Sequence, residues 1–149
     1  MSEQTHNVLV VEDDEAVRSI LALSLEYAGF NVHTASDGLE AMDEMKQRRF
    51  DVVVTDYQMP GMDGLRFLSL SKILWPNTPV VMLSGDQSEE VADRAMRDGA
   101  FTWLHKPCER EMLLQILRVA VQQSLHEPPH MATSHSINEA QGGWKPGRR

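Results

Sequence analysis

Short apolar runs alternate with longer amphipathic stretches along most of the chain. The first apolar run, at residues 7–11, is rich in β-branched side chains and is typical of a strand that is covered on both faces. The next stretch, at 15–28, starts with an acidic residue, places Val17, Ile20 and Leu25 on one helical face and stops at Gly29. These features together predict a helix.

The same alternation continues to residue 123 and predicts five strand–helix units. Further strands are expected at 31–35, 51–55, 80–83 and 101–105, and further helices at 38–47, 64–74, 88–98 and 109–123. Parallel strands need crossover connections, and right-handed crossovers cover both faces of a sheet with helices. The pattern therefore predicts an α/β domain at residues 7–123, preceded by a short extension at 1–6. The composition of residues 124–149, rich in Pro, Ser, Thr, Gly and His, predicts a flexible tail.

Composition and charge restrict the functions that such a domain could have. A chain of 149 residues, 42% hydrophobic, can bury one core of ordinary size. The net charge of −8 and the lack of a dense Lys/Arg run before the extreme C-terminus argue against direct nucleic-acid binding. No apolar run approaches the roughly 20 residues that span a bilayer, so we expect no membrane insertion. The single cysteine, Cys108, suits a reducing compartment and favours a cytoplasmic location.

Polar side chains follow four of the five predicted strands. They are Glu12, Asp13 and Asp14 after the first strand, Asp56 after the third, Ser84 after the fourth and Lys106 after the fifth. In open α/β sheets, ligands bind outside the carboxyl ends of the strands, so we expect these groups to meet at one edge. Carboxylates that lie close together repel one another, and hard oxygen ligands suit Mg²⁺ as the compensating cation. For Asp14 an alternative stays open, because it could instead cap the first helix.

Several motifs, in this order and spacing, resemble the receiver domain of bacterial two-component response regulators over about residues 6–123. The matching segments are Val-Val-Glu-Asp-Asp (10–14), Asp-Tyr-Gln-Met-Pro-Gly-Met-Asp-Gly (56–64), Ser84-Gly85, Gly99-Ala100 and Lys106-Pro107. The resemblance implies a flavodoxin-like (βα)5 three-layer sandwich with the parallel strand order 2-1-3-4-5.

The resemblance also implies the chemistry. Asp56 would take a phosphoryl group from the phosphohistidine of a histidine kinase or a histidine phosphotransfer protein, assisted by Lys106 and Ser84. Mg²⁺, for which Mn²⁺ can substitute, would be held by Asp13, Asp56 and the backbone carbonyl of Gln58. Glu12 would act mostly through a bound water, and Gly85 would leave space for the phosphoryl group.

The resemblance further implies how the signal leaves the site. Ser84 and Trp103 would act as the switch, although Trp103 stands where the family usually has Tyr or Phe. Gln58 and Asp86 would tune the lifetime of the phosphate. The surface of the fourth helix, fifth strand and fifth helix would contact a downstream effector protein or a second copy of the chain, or the domain would feed a phosphorelay. We therefore expect a stand-alone signalling domain with self-phosphorylation and slow autodephosphorylation activity, and not a turnover enzyme.

Three rival interpretations can be tested against the same residues. An aspartate-nucleophile phosphohydrolase would carry its nucleophile at the first strand, in an Asp-x-Asp motif. A flavin-binding module would need a glycine- and hydroxyl-rich loop where this chain has Glu12-Asp13-Asp14. A degenerate receiver that serves only as a scaffold would lack residues that carry the chemistry, and all of them are present here.

Overall fold

The computed structural model describes residues 5–86 and 88–125 as a sheet of five strands with five helices. The strands are β1 (Asn7–Val11), β2 (Asn31–Ala35), β3 (Val52–Asp56), β4 (Val80–Ser84) and β5 (Thr102–His105). The helices are α1 (Glu15–Tyr27), α2 (Gly38–Gln47), α3 (Gly64–Leu74), α4 (Glu89–Arg97) and α5 (Arg110–Leu125). None of the helices among these residues could serve as a membrane span.

The strand order is β2-β1-β3-β4-β5, and every neighbouring pair is parallel. This confirms the α/β class and the flavodoxin-like order predicted for the chain. The order reverses between β1 and β3, so the carboxyl ends of these two central strands flank the point where such sheets bind ligands. β1 pairs with β3 from Val8↔Val52 to Val11↔Thr55, which brings the residues that follow β1 beside the end of β3.

The predicted element bounds hold to within two residues, and two of the differences concern the strand ends. β3 and β4 each extend one residue further than expected, so that Asp56 and Ser84 are themselves the last residues of their strands. At the other end of the chain, α5 continues to Leu125, two residues past the expected end. The proposed extension at 1–6 and tail at 124–149 lie outside the described residues, except for residues 5, 6, 124 and 125.

The core has two layers, one on each face of the sheet. Alternate residues of the central strands pack with α2, α3 and α4 on one face, and the remaining ones pack with α1 and α5 on the other. The apolar face predicted for α1 is used only in part, because Leu25 is buried while Val17 and Ile20 are 42% and 69% exposed. The inner surface of α1 therefore belongs to the core, and its neighbouring apolar strip faces outward.

Candidate functional site

Three carboxylates meet at the carboxyl edge of the sheet. Glu12 and Asp13 directly follow β1, and Asp56 is the last residue of β3. One carboxylate oxygen from each of the three residues lies within 4.8 Å of the others. Glu12 and Asp56 are only 4% and 7% exposed, whereas Asp13 is exposed. The group is thus closed on its inner side and open to solvent at Asp13.

Lys106, which follows β5, joins two of these carboxylates. Its Nζ lies 3.1 Å from Glu12 Oε1 and 3.2 Å from Asp56 Oδ1. β5 is separated from β3 by β4, so the long lysine side chain must reach across the end of β4 to make these contacts. The structure therefore brings together Glu12, Asp13, Asp56 and Lys106, as the strand-end pattern predicted.

Burial and pairing act in opposite directions on the charges of this cluster. Burial raises the pKa of the Glu12 carboxyl above its usual value, although the Asp14 N–H and Lys106 both act to lower it. Burial acts to lower the pKa of Lys106, but its hydrogen bond to Glu12 and the nearby charge of Asp56 outweigh burial, and the net shift is upward. Lys106 therefore stays protonated, and its ammonium group contacts two of the three carboxylates.

The donor set of the cluster fits a hard divalent cation. Carboxylate oxygens with one side open to solvent are the ligands that Mg²⁺ prefers, because this ion keeps part of its water shell. Asp14 is not a member of the cluster. Its Oδ1 accepts a hydrogen bond from the Val17 N–H at 3.0 Å and caps α1, while its own N–H donates to Glu12 Oε2 at 3.1 Å. Of the two roles left open for Asp14, the structure shows the helix cap.

The backbone on both sides of Asp56 is fixed by close contacts. The Tyr57 N–H donates to the Leu83 carbonyl at 2.9 Å, and the Tyr57 carbonyl accepts from the Gly64 N–H at 2.7 Å. A Cβ atom at Gly64 would lie 2.6 Å from the Asp56 carbonyl oxygen, so only glycine lets α3 begin this close to β3. The loop between β3 and α3 is therefore closed at its base, and Gln58 lies exposed within it.

The side chains of Ser84 and Asp86 form a chain of hydrogen bonds that leads towards α4. The Ser84 Oγ, which is fully buried, accepts from the Asp86 N–H at 2.8 Å, and Asp86 Oδ1 accepts from the Ser88 N–H at 2.7 Å. Ser88 in turn caps α4. Within residues 5–86 and 88–125, no side-chain hydrogen bond joins Ser84 to the three carboxylates, whereas the Ser84 carbonyl accepts from the Lys106 N–H at 2.8 Å. Gly85 has open space where a Cβ atom would lie, and its expected role beside the phosphoryl group stays a prediction.

Trp103 lies on β5 beside the ring of Tyr57. The two ring centroids are 5.6 Å apart and the rings are tilted by 53°. The Trp103 Nε1–H is buried and has no acceptor in the described structure. An unsatisfied buried donor costs about 1–3 kcal/mol, and an aromatic pair contributes about 0.5–1.5 kcal/mol beyond its buried area. The indole is therefore held in place by apolar contacts that oppose the cost of its unpaired N–H.

An apolar groove that the sequence did not indicate lies beside the carboxylate cluster. It has a volume of about 610 Å³ and is lined mainly by side chains of α1, of the β5–α5 connection and of early α5, among them Val17, Ile20, Pro107 and Leu113. Lys106 lines the groove and also contacts Asp56, so the groove opens directly beside the cluster. Arg110 borders it and ties α5 to α1, because its Nε donates to Ser24 Oγ at 2.9 Å. The only sequence signal for the groove was the surplus of apolar residues on α1.

Comparison with known proteins places this arrangement in a well-populated group. Residues 8–118 match the family model described as the response regulator receiver domain. The chain is 32% identical over 124 residues to the transcriptional regulatory protein GlrR of Escherichia coli (strain K12), covering 83% of this chain and 28% of that protein. It is 31% identical over 137 residues to the DNA-binding transcriptional regulator NtrC of Klebsiella pneumoniae, covering 88% of this chain and 29% of NtrC. The chain thus spans less than a third of these relatives.

Solved structures show the same likeness. A response regulator receiver domain protein from Clostridium thermocellum superposes with a TM-score of 0.78 at 30% identity, covering 80% of this chain and 97% of the other. The beryllofluoride-activated NtrC4 receiver domain dimer superposes with a TM-score of 0.75 at 34% identity, covering 79% and 98%. Both likenesses extend over nearly the whole of the other chain, so the described part of this protein corresponds to a complete domain of that type.

Proposed function

Because the chain belongs to the family of response regulator receiver domains, we propose that Asp56 accepts a phosphoryl group from the phosphohistidine of a histidine kinase or histidine phosphotransfer protein. The observation that carries the proposal is the cluster itself. The Asp56 carboxylate is buried, lies 3.2 Å from the Lys106 ammonium and shares a 4.8 Å neighbourhood with the carboxylates of Glu12 and Asp13. A nucleophile, a fixed cation and a cation-binding group are therefore present in one place.

The chemistry is an in-line transfer in which the chain mainly positions and neutralises charge. An Asp56 carboxylate oxygen attacks phosphorus as the bond to the donor's imidazole nitrogen breaks, and the imidazole leaves. Lys106 neutralises negative charge that develops on the phosphoryl oxygens, and the Ser84 hydroxyl donates a hydrogen bond to one of them. Asp13, Asp56 and the Gln58 carbonyl would hold Mg²⁺ or Mn²⁺, with Glu12 acting through water, and the ion would supply further positive charge near the phosphoryl group.

The acyl phosphate formed on Asp56 is hydrolysed by water in the same site. Gln58 and Asp86, each two residues beyond a strand end, are proposed to set the rate of this hydrolysis. Gln58 is exposed and free to approach the water, whereas the Asp86 carboxylate is engaged with the Ser88 N–H. The domain would thus act as a self-limiting signalling switch with slow autodephosphorylation.

We propose that the phosphodonor docks on the apolar groove between α1 and α5. A phosphohistidine must reach Asp56 from the solvent side, and the groove opens there beside Lys106. Ile20 is 69% exposed on the groove wall, so that a partner's apolar helix could bury it.

Output is proposed to pass through the surface of α4, β5 and α5 to an effector protein, to a relay, or to a second copy of the chain. The activated NtrC4 receiver is described as a dimer, which supports the homodimer for this chain. The stand-alone architecture, the cytoplasmic location and the lack of direct nucleic-acid binding stay predictions.

The phosphoacceptor role is tested by exposing the protein to acetyl phosphate with Mg²⁺ and measuring its intact mass. Wild type should gain one phosphoryl group, and Asp56→Asn should gain none. Asp93→Asn, an exposed change on α4, is the matched control and should behave as wild type. Removal of the metal with EDTA should abolish incorporation. Equal incorporation by Asp56→Asn and wild type would sink the proposal.

The docking groove is tested with two matched substitutions on α1. Ile20→Glu places a charge in the groove, whereas Leu23→Glu changes an equally exposed side chain that does not line it. With a phosphorylated histidine phosphotransfer protein as donor, Ile20→Glu should slow transfer by about 10-fold, and Leu23→Glu should not. Neither change should affect labelling by acetyl phosphate. A similar loss in both variants would count against the groove as the docking site.

A further inference from the structure

We propose that Tyr57 is a positioning residue that reads the state of Asp56 and passes it to Trp103 by direct ring contact. Phosphorylation of Asp56 would change the position of the Tyr57 ring, and the Trp103 indole would move with it. The inference rests on the proposed phosphorylation of Asp56, and it assigns a role to a residue that is neither a metal ligand nor a phosphoryl contact.

Tyr57 is coupled to Asp56 through the backbone. It directly follows Asp56, and both its N–H and its carbonyl are held, by the Leu83 carbonyl and the Gly64 N–H. Because the two anchors leave the Tyr57 backbone little freedom, a shift of the strand end caused by new charge on Asp56 must be taken up by the side chain or by the anchors themselves. The ring of Tyr57 is partly buried against the core, so its movement displaces whatever it touches.

Trp103 is an aromatic group in contact with Tyr57, and its indole N–H has a hydrogen bond to gain by moving. Its ring packs against Tyr57 at 5.6 Å, and its buried N–H lacks an acceptor in the described part of the chain. Any rearrangement that brings this N–H to water or to a carbonyl oxygen regains a hydrogen bond. The free energy of the aromatic contact with Tyr57 opposes the free energy gained from that hydrogen bond and is of similar size. A small displacement of Tyr57 is therefore enough to change the equilibrium between the two positions of the Trp103 indole.

The Ser84 hydroxyl offers a different path with a different end point. Its hydrogen bond leads through Asp86 to Ser88 and the first turn of α4. Trp103 pairs with Met82, two residues before Ser84, and within the described residues Tyr57 is the aromatic ring in contact with it. The Ser84 hydroxyl is therefore connected to the start of α4, and the Ser84 backbone is connected to the end of β5 at His105 and Lys106. The Tyr57 ring contacts Trp103 directly, earlier in β5.

The test uses the full chain with ¹⁵N-labelled tryptophan and follows the indole N–H signal of Trp103, identified by its loss in Trp103→Phe. Beryllofluoride with Mg²⁺ serves as the phosphoryl mimic. In wild type the Trp103 signal should shift on addition of the mimic, and Tyr57→Phe, which keeps the ring, should shift equally. Tyr57→Leu removes the aromatic contact and should change the Trp103 conformational equilibrium by about fivefold, so that the shift largely disappears.

A parallel mass measurement with acetyl phosphate distinguishes failure of the proposed role of Tyr57 from failure of the proposed phosphorylation of Asp56. Phosphoryl incorporation by Tyr57→Leu should stay within about twofold of wild type, since the described hydrogen bonds and ring contact of Tyr57 involve neither the Asp56 carboxylate nor Lys106. If Tyr57→Leu incorporates phosphate and its Trp103 signal still shifts as in wild type, the inference is overturned while the proposed function stands. If wild type incorporates nothing, the proposed function fails and the inference fails with it. Should Tyr57→Leu not fold, Tyr57→Met is judged by the same two readouts.

Discussion

The carboxylate cluster and the region around Trp103 lie at the same end of the sheet and are built in opposite ways. In the cluster, Lys106 pairs with Glu12 and Asp56 at 3.1 and 3.2 Å, and backbone hydrogen bonds fix the residues around Asp56. Around Trp103, a buried N–H lacks a partner among the described residues, and apolar contact holds the ring. The groups proposed to carry out the chemistry are thus held together by ion pairs and hydrogen bonds, whereas the indole proposed to report on them is held by apolar contact alone.

Of three substitutions that test this comparison, Lys106→Ala should have the largest effect. The ammonium is the fixed cation beside Asp56, and its loss removes charge stabilisation from the transferred phosphoryl oxygens. We expect the rate of labelling by acetyl phosphate to fall by about 100-fold or more. Lys46→Ala, an exposed change on α2, is the control and should keep the wild-type rate. A Lys106→Ala rate within a few-fold of wild type would show that the pre-assembled cation is not needed.

Replacing Glu12 by glutamine should have an intermediate effect. The buried carboxylate orients Lys106 and adds negative charge for the metal, so calorimetric titration should show an affinity for Mg²⁺ lower by about 10-fold. At pH values above the raised pKa of Glu12, its carboxylate is charged in both states, but it is buried in the folded chain and solvated in the unfolded chain. The burial of this charge therefore opposes folding. In Glu12→Gln, loss of the ion pair with Lys106 lowers the free energy of unfolding, whereas removal of the buried charge raises it. The metal-free unfolding free energy should therefore change by less than about 1 kcal/mol, and Glu26→Gln, exposed on α1, should change neither quantity.

Replacing Trp103 by phenylalanine should have the smallest effect of the three substitutions, and it is measured as a change in stability. The change loses packing volume but also removes the donor that has no acceptor in the described structure. We expect the unfolding free energy in urea to stay within about 1 kcal/mol of wild type. Trp75→Phe, also partly buried against the same core, loses packing without that relief and should be the more destabilised of the two. The reverse order would mean that Trp103 is held as firmly as an ordinary core residue.

The strands and the cluster could be predicted because each depends on a strong local signal. Runs such as 8–11 and 80–83 are apolar throughout, which happens when helices cover both faces of a sheet. Once the strands are parallel, their carboxyl ends must meet, and Glu12, Asp13, Asp56 and Lys106 follow from that geometry. The metal ligands, the Ser84 contact and the tuning roles of Gln58 and Asp86 came from the family resemblance and stay predictions.

Other features depend on contacts between distant segments and carry no local signal. The apolar periodicity of α1 shows that one face is apolar but not what covers it, and Val17 and Ile20 proved to line an open groove. The contact of Tyr57 with Trp103 could not be predicted because the two rings are 46 positions apart along the chain and lie on either side of β4. Asp14 could not be assigned from the sequence because a carboxylate before a helix suits either a cap or a metal site.

The central claim is that Asp56, among the clustered carboxylates, is the one that takes the phosphoryl group. It is tested most directly by labelling the full chain with acetyl phosphate and Mg²⁺, reducing the acyl phosphate with borohydride and mapping the modified residue by peptide mass spectrometry. The account predicts that the reduced residue is Asp56, and that Glu12 and Asp13 are unmodified. Modification at either of those residues, or at none of the three in protein that has gained a phosphoryl group, would contradict it.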